Sequence, residues 1–211
     1  MLDWFDRHFS VRLPPGRFAR NTALLSLAGL LPVLAVFITR TPGFWGHLAG
    51  AQGALGPFLR QVLTNGLPVV VAVNWVGLVL FARLRAGGLR PGVALGLDFA
   101  ARIGLFAGLH AVIFAGSALA FGAFGGDPAQ ALGVLGPTLL RAAGFGNLAG
   151  VWLHATLVSA LPLYMALAAA VLAQRGYRDV PLAWLALPAA GIIACQLLLL
   201  TGVAWALSRL I

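Results

Sequence analysis

The sequence predicts an all-α polytopic membrane protein: a bundle of five transmembrane helices, with a short amphipathic N-terminal segment and an interfacial helix between spans three and four. Three observations carry this prediction. Of 211 residues, 61% are hydrophobic and only 9% charged, against about 25% charged in an ordinary soluble domain. Uncharged apolar stretches of 19 residues or more recur along the chain, and about 20 are needed to cross a ~30 Å hydrocarbon core. Glycine and proline are abundant, at 27 and 12; both are tolerated in membrane helices, and glycine there lets backbones approach closely.

Residues 1–20 stay polar enough to lie outside the hydrocarbon, yet Leu2, Phe5 and Phe9 are spaced three and four apart, with Trp4 beside them. That is the pattern of a short in-plane helix, closed by the turn residues Pro14, Pro15 and Gly16. Residues 21–211 form the five-span bundle. The first span, 21–39, is longer than the apolar run of a signal peptide and reads as a retained anchor. A Gly- and Pro-rich loop with Phe44, Trp45 and His47 follows, then a second span at 61–82 with Asn74 near its middle. The third, 99–121, opens with Asp98 and Arg102 and carries His110. At four residues apart on a helix Asp98 and Arg102 are neighbours, and the expectation is a solvated ion pair at the membrane interface, the hydrocarbon portion beginning near Ile103.

In the connection that follows, Asp127 and Pro128 make a helix start, an acceptor side chain before a residue whose φ is already helical. Leu132, Leu135 and Leu139 recur at helical spacing after it, which predicts a short amphipathic helix lying on or re-entering the membrane surface, its regularity limited by Pro137. The fourth span, 146–173, contains His154 and Pro162. The fifth, 181–208, contains Pro188, Cys195 and Gln196.

Orientation follows from the basic residues, all 14 of which are Arg. With the N-terminus cytoplasmic, that side holds nine (Arg7, Arg12, Arg17 and Arg20; Arg83, Arg85 and Arg90; Arg175 and Arg178) and the other side four (Arg40, Arg60, Arg141, Arg209), Arg102 set aside. The positive-inside rule then gives a bacterial inner-membrane protein with its N-terminus cytoplasmic and its C-terminus periplasmic. A formal net charge of +9 invites a nucleic-acid reading, but the arginines cluster at span ends and form no continuous basic stripe. They suit orientation and anionic lipid contact instead, and nucleic-acid binding is not expected.

Gly104 and Gly108, and again Gly146 and Gly150, form G-x-x-x-G pairs, which let helices pack closely within the chain or to a partner. The candidate chemistry reduces to a polar midplane cluster, Asn74, His110, His154 and Gln196, each about 12–20 Å deep at 1.5 Å per residue. Three uses are open to it. As interhelical hydrogen-bond glue it would belong to a non-enzymatic accessory or structural subunit of a larger membrane complex, a scaffold among other membrane proteins, and this is the reading we favour. With His110 and His154 as axial ligands of one haem b, the protein would be a redox carrier. With helices broken at their prolines around a midplane site, it would be a small transporter or channel, although no carboxylate is expected at mid-depth to couple ions.

Soluble-enzyme motifs are absent from the sequence: it has no P-loop, no G-x-G-x-x-G after a strand, no G-x-S-x-G and no H-E-x-x-H. His8 and His47 lie in separate surface segments, and no Cys and His cluster has metal-ligand spacing. Asp3, Asp6, Asp127 and Asp179 fall in tails or loops, so a paired acid and base is hard to assemble. Neither catalytic nor metal-ligating residues are assigned.

Overall fold

Five helical stretches long and apolar enough to cross a membrane run through Pro15–Arg40, Leu55–Arg83, Pro91–Phe121, Leu148–Gln174 and Leu182–Leu207, and no strand occurs among the described residues. The chain is an all-α polytopic membrane protein. The computed structural model describes residues 2–10, 12–50, 54–86, 88, 90–177 and 180–210; Arg178 and Asp179 lie outside them.

In order, the helices are α1 (Leu2–Phe9), α2 (Pro15–Arg40), α3 (Phe44–Gly50) and α4 (Leu55–Gln61), then a π-helical turn (Val62–Gly66) running into α5 (Leu67–Ala86). They continue with α6 (Pro91–Phe121), α7 (Pro128–Gly133), α8 (Leu135–Ala143), α9 (Leu148–Val158), α10 (Leu161–Gln174) and α11 (Leu182–Leu207). Prolines open several of them, because a first-turn residue has no intrahelical partner for its N–H in any case: Pro15 starts α2, Pro91 α6 and Pro128 α7. Asp127 caps α7, its Oδ1 accepting from Ala129 N at 2.8 Å. Asn147 caps α9 in the same way, accepting from Gly150 N at 2.9 Å. The connection between spans three and four is therefore helical, but it breaks at Val134 into α7 and α8.

The N-terminal helix has a protein surface to cover. Phe5 and Phe9 are buried against α10 and α2, and Asn21 Nδ2 donates to His8 O at 3.0 Å. Trp4, on the other side, is exposed.

Two of the spans are irregular, each at a proline. Pro68 has no N–H to offer the carbonyl of Thr64, and the turn just before it widens to the π form, with Leu67 N bonding to Val62 O. Span four is divided at Ser159 and Ala160, just before Pro162. There Ala160 N bonds to Leu157 O at 3.0 Å instead of reaching one residue further back. The carbonyl of Thr156 is thereby released from its own helix.

Two apolar cores hold the bundle, and they lie one above the other. The first gathers Leu30 and Leu34 of α2, Val69 to Val73 of α5, Phe106 of α6, Val151 to Leu157 of α9 and Leu200 of α11. The second gathers Phe18, Leu78 and Phe81, Ala94, Leu163 to Leu167, and Leu185 to Ile193. Each of the five spans contributes to both. Between the two stretches, every span carries a buried polar residue.

Candidate functional site

The polar residues between the two cores form one connected layer. Asp98 and Arg102 sit at its centre, one turn apart on α6, with Arg102 Nε donating to Asp98 Oδ2 at 2.9 Å. Arg102 Nη1 donates to Asn74 Oδ1 on α5 and to the released carbonyl of Thr156 at 2.9 Å. Asn74 Nδ2 donates onward to Ser26 Oγ on α2 at 2.8 Å, and Ser26 and Thr22 each donate to the carbonyl one turn back, at 2.8 and 2.9 Å. On the other side, Tyr164 of α10 donates its hydroxyl to Asp98 Oδ2 at 2.8 Å, and Gln196 Nε2 of α11 donates to that hydroxyl at 3.0 Å. All five spans are joined through one ion pair. The arginine fits because Gly77 leaves room for it: a Cβ there would lie 3.3 Å from the guanidinium carbon.

This corrects the expectation of a solvated pair at the membrane surface. Both side chains are 1% exposed, and they lie between apolar cores. Burial of one such charge would cost several kcal/mol, on the order of what a neutral replacement avoids. Here each charge faces the other, and four neutral groups complete the set: the Asn74 amide, the Thr156 carbonyl, the Tyr164 hydroxyl and, through it, the Gln196 amide.

Of the four polar residues singled out from the sequence, Asn74 and Gln196 belong to this layer. His110 and His154 do not. Both lie at the level of the first core, and each donates Nδ1–H to the backbone one turn back: His110 to Phe106 O at 2.9 Å and His154 to Gly150 O at 2.8 Å. They line different cavities. His154 faces a space of about 380 Å³ between α2, α9 and α11, with the Phe145 ring on edge 4.8 Å from it. His110 faces one of about 680 Å³ between α5, α6, α8 and α9, with the Phe106 ring centre 4.1 Å from its own. Two axial ligands must approach one macrocycle from opposite faces, whereas these two cavities each hold one of the imidazoles.

His154 Nε2 is a buried side-chain nitrogen without a hydrogen-bond partner among the described residues. Such an atom forfeits its hydration, worth about 1–3 kcal/mol. His154→Leu is therefore expected to leave the melting temperature of the detergent-solubilised protein unchanged or to raise it. A clear drop on thermal unfolding would show that the nitrogen has a partner in the membrane.

The G-x-x-x-G pairs divide in the same way. A Cβ on Gly150 would meet Ala142 O at 2.7 Å, so this glycine makes the tight turn between α8 and α9, and one on Gly146 would touch Arg141 O at 3.4 Å. Gly104 and Gly108 meet nothing within 4 Å; they are exposed and pack against no helix among the described residues. The close internal approaches are made elsewhere, by Gly29 against Ser159 and by Gly66 against the ring of Trp152.

Sequence reading did not find Tyr164, Ser26, Thr22 or the Thr156 carbonyl. Thr22 and Ser26 could have been seen as a polar pair one turn apart within an apolar span. Tyr164 gives no such sign, and the carbonyl depends on a break in the helix. No group of three or more His, Cys, Asp or Glu able to hold a metal ion occurs among the described residues, and Cys195 is exposed. What the fold and its centre define is a five-span membrane bundle locked by a buried ion-pair network. Comparison with protein-family profiles, curated proteins and solved structures finds no match to the chain.

Proposed function

We propose that the protein is a non-enzymatic subunit of a larger membrane assembly, working through contact with other membrane helices. The observation that carries this reading is the closure of the polar layer. Its charged and polar groups engage one another, and none of Asn74, Asp98, Arg102, Tyr164 or Gln196 lines the cavities beside His110 and His154. Groups arranged in this way hold helices in register; a transport path or a reaction centre would need them open to a solute. The partner is another membrane protein, and the arginines at the span ends meet anionic lipid headgroups. The bias of nine arginines to four supports a cytoplasmic N-terminus and a periplasmic C-terminus in a bacterial-type inner membrane.

The outer face of α6 is where a partner helix would pack, since Gly104 and Gly108 stand open there. The test is a native gel of the protein extracted in mild detergent, with Gly104→Leu/Gly108→Leu as the variant. The wild-type chain is expected to migrate within a larger complex. The variant should lose its companions while keeping its own melting temperature, because no side chain of this chain is displaced. Migration of the wild type at its own mass, with no companion, would end the subunit reading.

A further inference from the structure

The cavity beside His110 combines features that the closed polar layer lacks. One wall is a single face of α6, where His110, Phe114 and Ser117 follow each other at four and three residues. The facing wall holds Gln61 at the end of α4 and Asn65 in the π turn, and Trp152 of α9 closes the apolar floor. π turns interrupt helices frequently at functional sites, and this one brings Asn65 to the same space as His110.

The donors and acceptors here are uncommitted. His110 is 93% buried, being 7% exposed. Its Nδ1–H is held by Phe106 O, so Nε2 points away from its own helix; no hydrogen bond of that nitrogen to a described residue exists. Gln61 and Ser117 likewise make no side-chain hydrogen bond to a described residue, and Asn65 only accepts from Thr64 at 3.2 Å. No charged side chain lines the space. A ligand with a formal charge would lie among apolar walls without a counter-ion. A molecule with acceptors alone could not use Nε2, which in the neutral ring with Nδ1–H is itself an acceptor. What remains is a neutral hydrogen-bond donor on an apolar body; a hydroxyl suits best because Gln61, Asn65 and Ser117 can donate to its oxygen in return, and Phe114 and Trp152 favour an aromatic one.

We propose that this cavity binds a neutral, membrane-soluble phenol or quinol, which donates its O–H to His110 Nε2 and accepts at its oxygen from Gln61, Asn65 or Ser117. The site goes beyond the subunit reading and does not depend on it.

The test uses the full chain in phosphatidylcholine nanodiscs, with 4-octylphenol and its methyl ether, 4-octylanisole, as probes and empty nanodiscs as the reference. The phenol should bind saturably, and about fivefold tighter than the ether, the factor given by one hydrogen bond of ordinary net strength. His110→Phe should abolish that preference. Ile113→Trp, a change at an exposed position on the rim, should reduce binding of both probes while leaving His110 in place. Equal binding of phenol and ether by the wild type would overturn the proposal, as would unchanged binding in both variants. Displacement of the phenol by an equal concentration of 1-decanol would overturn the phenolic assignment in favour of an aliphatic alcohol.

Discussion

Arg102→Met is expected to lower stability by about 3–5 kcal/mol, the usual loss when one partner of a buried pair is removed. The substitution fills much of the same volume. What it removes is the cation against Asp98 Oδ2 and the donors to Asn74 and Thr156. The carboxylate would then be buried with the Tyr164 hydroxyl as its remaining partner in the layer. Thermal unfolding in mild detergent, followed by circular dichroism, should show a large fall in melting temperature. The double variant Asp98→Leu/Arg102→Met should recover a good part of it, because two well-packed apolar residues carry no desolvation cost. If Arg102→Met melts like the wild type, the pair is solvated and the network does not hold the spans. Tyr164→Phe is a milder version of the same test and should cost about 2–3 kcal/mol, because it removes the hydrogen bond to the Asp98 carboxylate and the one accepted from Gln196 Nε2.

Gly66→Leu is the second large effect. A Cβ alone at Gly66 would lie 2.5 Å from two ring atoms of Trp152, a separation that neither side can accommodate without moving. Overpacking of this kind costs about 1–3 kcal/mol and sometimes more. The indole cannot move away freely, since Trp152 is buried in the first core. The expected result is a marked loss of thermal stability in Gly66→Leu, smaller in Gly66→Ala, with much of the loss relieved when Trp152→Leu is added. No relief from the second change would mean that the damage is done to the π turn and not to the contact.

The five spans could be read from the sequence because hydrophobicity and length decide them. Lipid leaves no other way to satisfy the backbone than a helix or a closed barrel. The cap at Asp127 was legible for a local reason, since its acceptor and the following proline act within three residues. The centre of the molecule was only half legible. Asn74 and Gln196 stand out as polar groups in apolar runs, and so do His110 and His154, yet only the first two enter the network. Depth along a helix can be counted from sequence; azimuth relative to four neighbours cannot. For Asp98 and Arg102 the sequence points to a solvated pair, because the cost of burying them is visible in it while what offsets that cost comes from α5, α9 and α10. Gly29 and Gly66, which make the tight contacts, belong to no repeated motif, whereas the conspicuous Gly104 and Gly108 face outward.

Because Asp98 and Arg102 are one turn apart on α6, their charges cancel within a single segment. That span can partition into the bilayer as an electrically neutral unit before any other helix has arrived, and it asks for no partner at the moment of insertion. The bonds to Asn74, Thr156 and Tyr164 can then form by lateral association of helices already in place. Had the two charges been on different spans, each would have had to cross the insertion machinery bare.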